Sequence, residues 1–365
     1  MIKKKKILIA TGGTGGHVFP AYSLANYLIE NNYTVKLTVD KRGFQYLKDF
    51  KNLNLIKIPS SPLIKKGILD FLYSGLLILY SICRSFFFLL LNRPSLVVGM
   101  GGYSSFPVCI AATILRIKFV IYENNLIIGK ANKYLLPFSK KIFVSYKDLE
   151  GISNKYIEKV LEVGNIIREE IINSKIDINQ KNRFDKIKIL VLGGSQAAKV
   201  FAEKIPEILA KLNSSKIPIT IYQQCLKEQN AALSEFYTNS KIDHEIFNFT
   251  NKIIYYYKKV NLVITRSGAS VLAELVNMKI PFISIPLPSS ADEHQLKNAI
   301  YYKKKGYGFL FAEKDINYQL YDSIKSLFED KLLLKKIISN QSQYSDKNIF
   351  KNINSHIKKI INEKN

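Results

Sequence analysis

Tryptophan is absent from the 365 residues, and the three cysteines, Cys83, Cys109 and Cys225, lie far apart with no Cys-x-x-Cys spacing. That pattern excludes a disulfide framework and a structural zinc site, and it fits a reducing compartment. Acidic residues are scarce: 29 Asp and Glu face 54 Lys and Arg, a formal net charge of +25. The lysines are spread along the whole chain beside abundant Ile, Asn and Tyr, so they read as generic surface filling. No nucleic acid is expected, whereas an anionic membrane surface is a fitting partner. No Asp-x-Asp occurs to carry a metal bridge to a diphosphate, and neither metal nor cofactor is expected. No Gly-Lys-Ser/Thr follows a glycine turn, which excludes a P-loop.

What is present is apolar and periodic. With 47% hydrophobic residues the chain is globular, and its length suits two domains rather than one. After the basic start Met1–Lys6, the apolar stretch Ile7–Ala10 is too short for a signal sequence and reads as a first strand, with no export expected. Short apolar runs then alternate with amphipathic stretches, the mark of βαβ units and parallel sheets. The first half offers strands at Lys6–Thr11, Val35–Val39, Leu53–Ile58, Leu96–Met100, Phe119–Tyr122 and Ile142–Val144. Val18, Ala21, Leu24, Ala25, Leu28 and Ile29 form one helical face after the first of them.

Polarity rises over residues 173–186, the expected linker between a domain over 1–165 and another over 187–340. Strands resume at Ile187–Leu192, Ile219–Gln223, Glu245–Phe249, Leu262–Thr265 and Phe282–Pro286. The tail from Leu332 is helical and basic, and residues 341–365 are expected to pack across the domain junction. The fold class expected is α/β, with two Rossmann-like domains placing ligands at the carboxyl ends of their strands in a facing cleft.

Residues 68–91 are the strongest apolar run and would suffice in length for a bilayer. Asp70 and Arg84 interrupt it, and it lies between strands that share one sheet. An interfacial helix, flanked by Lys65, Lys66, Arg84 and Arg93, is the reading preferred over a buried core helix or a span. Leu76, Leu79, Phe86 and Phe87 are its expected membrane contacts.

Three glycine-rich turns follow strands: Gly12–His17, Gly99–Ser105 and Gly193–Ala198. Glycine there lets backbone approach a ligand, with helix N–H groups aimed at it. None fits the dinucleotide fingerprint G-x-G-x-x-G, whose last slot is Val18 in the first and Ser104 in the second. In the second half, Ser267, Ser270 and Glu274 share one helix face, which suits phosphate oxygens and ribose hydroxyls, or an N-cap and a solvated carboxylate. His294 and Gln295 start a further helix.

GTGGHVFPA, GMGGYSSFP, ENN, GGSQAA, TRSGASVLAEL and DEHQLKNA, in this order, make the chain resemble the MurG family within glycosyltransferase family 28. The resemblance covers nearly the whole chain. It implies a GT-B fold and inverting transfer of N-acetylglucosamine from UDP-GlcNAc to undecaprenyl-diphospho-muramoyl-pentapeptide (lipid I) at the cytoplasmic face of the inner membrane. It implies donor contacts from Thr14, Gly15, Gly16, Asn125, Arg168, Gly194, Ser195, Phe249, Thr250, Glu274, His294 and Gln295. Gly13, Gly102, Tyr103 and Ser104 would face the acceptor diphosphate. His17 would be either the base that takes the acceptor proton or a ligand of that diphosphate. Tyr122 stands where the family often has His, Asn124 where it has Gln and Ala197 where it has Gly, and Phe106 is expected to disturb the second turn. A transferase for another lipid acceptor, or an inactive scaffold in a cell-wall synthesis complex, remains open.

Overall fold

A computed structural model describes residues 4–48, 50, 53–61, 67–174, 185–194 and 199–363. The chain divides into two compact units, residues 1–168 with 346–365 and residues 169–345. Most of the expected linker, residues 175–184, lies outside the described residues.

In the N-terminal unit the strands are β1 (Lys6–Ala10), β2 (Thr34–Val39), β3 (Asn54–Lys57), β4 (Leu96–Gly99), β5 (Phe119–Glu123), β6 (Lys141–Val144) and β7 (Val160–Glu162). Among the described residues they form a parallel seven-stranded sheet in the order β3-β2-β1-β4-β5-β6-β7. The helices between them are α1 (Gly15–Glu30), α2 (Lys41–Leu47), α3 (Ile68–Asn92), α4 (Gly102–Ile114) and α5 (Lys130–Leu135). Strands covered by helices on both faces must be apolar on both, which is why β1 reads Ile7-Leu8-Ile9-Ala10 without alternation and buries all four. The stripe of α1 packs as expected except at Ile29, which is exposed at the end of the helix.

The second unit holds β8 (Ile187–Leu192), β9 (Ile219–Gln224), β10 (Asp243–Phe247), β11 (Leu262–Thr265), β12 (Phe282–Ser284) and β13 (Phe309–Leu310). Their order is β10-β9-β8-β11-β12-β13, again parallel. Its helices are α6 (Glu169–Ile172), α7 (Lys199–Ser214), α8 (Asn230–Asn239), α9 (Ile253–Lys259), α10 (Ala269–Asn277), α11 (His294–Lys304), α12 (Ile316–Glu329) and α13 (Lys331–Ser342). Phe201, Ile205, Leu209 and Leu212 of α7 share one core with Ile189, Val191, Ile221 and Ile264 of the sheet, joined by Leu320 and Ile324 of α12.

The chain then returns to the N-terminal unit through α14 (Ile349–Asn362). Phe350 of α14 stacks on Tyr27 of α1 at 5.1 Å, and Tyr33 Oη donates to Asn354 Oδ1 at 3.1 Å. The tail expected as one helical stretch is therefore divided, α13 belonging to one unit and α14 to the other.

Two strands escape the sequence pattern. β7 and β13 are two or three residues long and half-exposed at sheet edges, where the apolar signal is weakest. β10 lies two residues before its expected place, because its register is set by pairing Asp243 with Thr220. Phe249 consequently stands beyond the strand and is 48% exposed.

By length and composition α3 could cross a bilayer: within Leu69–Asn92 the mean hydropathy reaches 1.9 over an 18-residue stretch, of which 22% is buried. It is also the crossover from β3 to β4, two strands of one sheet. At 1.5 Å per residue it is about 37 Å long, against about 13 Å for a four-residue strand. The excess leaves Leu69, Phe71, Leu72, Tyr73, Leu76 and Leu79 exposed. On the opposite face Ser74, Ser81, Ser85 and Leu89 are buried. Ser81 and Ser85 donate to Leu77 O and Ser81 O, both at 2.7 Å, so burying these hydroxyls leaves no donor unmet. Of the four expected membrane contacts, Leu76, Leu79 and Phe87 are exposed, but Phe86 packs against the core of the N-terminal unit. The helical period turns Phe86 inward while Phe87 points out.

Candidate active site

The order of the first sheet reverses between β1 and β4, so the turns leaving their carboxyl ends open side by side. Met100 N donates to Ala10 O at 2.8 Å, which joins the two turns at their base. Gly12 and Gly13 have φ of 153° and 79°, and Gly101 and Gly102 have 82° and 73°, backbone that L side chains rarely adopt. A β-carbon at Gly12 would lie 2.3 Å from Ser104 Oγ, and one at Gly101 would lie 3.2 Å from His17 Cε1. His17 is thus packed over the second turn while its backbone belongs to the first.

Asp40, at the end of β2, fastens this corner. It is 4% exposed; its Oδ1 accepts from Gly13 N at 2.9 Å and Gly43 N at 2.7 Å, and its Oδ2 accepts from Ser60 Oγ at 3.0 Å. Ser60 Oγ lies 3.3 Å from Ser104 Oγ, which carries the link to the second turn. Asp40 was not among the expected site residues, although an Asp closing a strand three residues before Gly43 is an N-cap signal.

Glu123 plays a comparable part at the end of β5. Its carboxylate, 3% exposed, accepts from Asn125 N, Asn125 Nδ2, Gly129 N and Asn132 Nδ2 at 2.9–3.1 Å. Asn125 is thereby held at both backbone and side chain. Asn124 Nδ2 donates to Gly16 O at 3.3 Å, tying this loop to α1. Tyr122, where a histidine was the more frequent residue, is buried; its hydroxyl lies 2.9 Å from Ser145 Oγ and accepts from Ile166 N at 2.9 Å. Burial pushes that hydroxyl well above the ordinary phenol range.

Thr14 is exposed and caps α1 with backbone alone, its side chain making no capping bond. Gly15 is buried, Gly16 and Tyr103 are half-buried, and Ser104 is buried. Phe106 lies inside α4 and packs on the core, so it does not disturb the second turn as expected. Arg168, the last residue of this unit's main segment, places its guanidinium 4.6 Å from the Phe19 ring. Thr14, Gly15, Gly16, Asn125 and Arg168, expected on the donor, all belong to the N-terminal unit.

In the second unit the expected donor residues gather at the carboxyl ends of the strands. Gly194 follows β8, exposed with φ 80°, and among the described residues nothing lies within 4 Å of where its β-carbon would stand; Ser195, with residues 196–198, lies outside the described residues. Phe249 and Thr250 follow β10, and Thr250 Oγ1 accepts from Lys252 N at 3.0 Å. Ser267 precedes α10, fully buried, its hydroxyl unpartnered among the described residues. Glu274 is 4% exposed rather than solvated, and its Oε2 accepts from Tyr257 Oη at 3.0 Å. Gln295 Oε1 accepts from Leu287 N at 2.9 Å, and His294 Nδ1 lies 2.7 Å from Ala291 O. Arg266, not singled out as a site residue, donates to Ile285 O and Pro286 O at 3.3 Å and pairs with Glu313, tying together the ends of β11 and β12.

The comparisons agree with this architecture. The glycosyltransferase family 28 N-terminal domain matches residues 7–144, and the family's C-terminal domain matches residues 188–356. A Pelagibacter ubique protein is 34% identical over 363 residues, covering 98% of this chain and 99% of its own. It is named UDP-N-acetylglucosamine–N-acetylmuramyl-(pentapeptide) pyrophosphoryl-undecaprenol N-acetylglucosamine transferase, as is a Rickettsia bellii protein 34% identical over 340 residues, covering 92% and 94%. The crystal structure of Acinetobacter baumannii MurG shares the fold, with a TM-score of 0.79 at 24% identity, covering 98% of this chain and all of that one. The chain belongs to glycosyltransferase family 28.

Proposed function

We propose that this chain transfers N-acetylglucosamine from UDP-GlcNAc to the muramoyl 4-hydroxyl of lipid I. The observation that carries the reading is the pair of glycine turns around His17, in a chain similar over nearly its whole length to transferases named for that reaction. The acceptor hydroxyl attacks the anomeric carbon, the bond to UDP breaks on the opposite face, and inversion follows. His17 either receives the hydroxyl proton or donates a hydrogen bond to the acceptor diphosphate. Gly13, Gly102, Tyr103 and Ser104 face that diphosphate in this reading.

On the donor, Glu274 meets the ribose hydroxyls, Phe249 and Thr250 flank the uracil, and Gly194 with Ser195 meets the diphosphate. Asn125, His294 and Gln295 contact the transferred sugar, and Arg168 the nucleotide. Backbone amides and helix N-termini offset the charge that grows on the leaving UDP.

The N-terminal unit is also the part that meets the membrane in this reading. It holds 29 Lys and Arg against 11 Asp and Glu, while the second unit holds 25 against 18. The exposed apolar face of α3 is accompanied by exposed Arg84 and Arg93. Incubation with radiolabelled UDP-GlcNAc, with and without a lipid I analogue, tests the activity. Acceptor-dependent label in the lipid product is expected; bound nucleotide without transfer would favour a scaffold.

A further inference from the structure

The first glycine turn is less available to a phosphate than its sequence implies. Gly13 N already donates to Asp40, and that buried carboxylate adds negative charge beside the cradle. A diphosphate diester brings about two more negative charges, while a helix N-terminus offers roughly half a positive one. A cation is therefore needed at this corner.

We propose that Arg42, oriented by Asp40, is the cation that binds the acceptor's diphosphate; this rests on the lipid I reading above. Arg42 Nη2 lies 3.8 Å from where a β-carbon of Gly13 would stand, and its Nε lies 3.8 Å from Asp40 Oδ2. The side chain is 63% exposed, and among the described residues it makes no hydrogen bond. Its fork is open to a phosphate, whose oxygens guanidinium matches in pairs. Its base is fixed: a β-carbon at Gly43 would lie 2.9 Å from Gly12 Cα, so α2 starts pressed against the turn.

Steady-state transfer to acceptor analogues bearing either a diphosphate or a monophosphate tests this. Arg42→Ala should raise KM for the diphosphate acceptor about 10- to 100-fold, with kcat within about twofold and KM for UDP-GlcNAc unchanged. It should also erase the preference for diphosphate over monophosphate, and Arg42→Lys should recover part of it. An unchanged acceptor KM, or equal rises for both acceptors, would overturn the assignment. A rise in donor KM alone would move Arg42 to the UDP diphosphate and overturn it too. Absence of transfer by the wild-type chain would instead overturn the lipid I reading beneath it.

Discussion

Tyr257 Oη donates to Glu274 Oε2 at 3.0 Å within the second unit, and both residues are buried. A carboxylate held in this way is set in one orientation, which suits the ribose contact proposed for it. Tyr257→Phe should lower stability by about 1–3 kcal/mol, read as a fall in Tm. Glu274→Gln should raise KM for UDP-GlcNAc about tenfold or more and leave the acceptor KM alone. Wild-type donor KM in that variant would remove Glu274 from the ribose.

His17 has two roles to separate. Loss of a general base in His17→Ala should cut kcat about 10²-fold or more in the lipid I assay. A loss confined to acceptor KM would assign the imidazole to the diphosphate.

Neighbouring glycines of the first turn should respond differently to alanine. At Gly12 the added carbon meets Ser104 Oγ at 2.3 Å with φ at 153°, so Gly12→Ala should cost about 3 kcal/mol or more. At Gly16 the nearest atom is Thr14 Oγ1 at 3.7 Å, so Gly16→Ala should be neutral or stabilise by about 0.5–1 kcal/mol. Urea unfolding of both variants checks the contrast.

The exposed face of α3 can be removed without touching its packed face. Replacing Leu69, Leu76, Leu79 and Phe87 with Ser should release the protein from anionic vesicles in a sedimentation assay and leave Tm close to wild type. Phe86→Ser should instead destabilise the N-terminal unit by about 3 kcal/mol, because Phe86 packs on its core. Unchanged vesicle binding by the fourfold variant would exclude this face.

His356 predicts a pH dependence of stability. Burial, then Lys359 and Lys141, lower its pKa below the ordinary 6.5. The folded chain then binds fewer protons than the unfolded one between the two values, so stability rises with pH there. The contribution is fully present above about pH 6.5 and declines as pH falls toward the folded pKa. His356→Gln should flatten the stability profile below about pH 6.5; an unaltered slope would refute the assignment.

Much of the fold was legible because a parallel sheet covered on both faces needs continuous apolar runs, and Ile7–Ala10 of β1, Ile189–Leu192 of β8 and Leu262–Ile264 of β11 supply them. β7 and β13 were not, since short half-exposed edge strands carry little pattern. The glycine turns were legible in the same way, as residues whose backbone few others can adopt.

The contacts among these turns were not legible. Asp40 is 27 residues from Gly13, and Ser60 is 44 from Ser104, yet both pairs meet at one corner. From its residues alone the chain determined alternating strands and helices, the placing of glycine at the strand ends, and one unusually apolar helix. Tertiary structure alone decided which amides Asp40 occupies, that Glu274 is buried on Tyr257, and which side of α3 faces outward. The physical reason is that periodicity records the burial of a segment, whereas a hydrogen bond between distant segments depends on strand order and register.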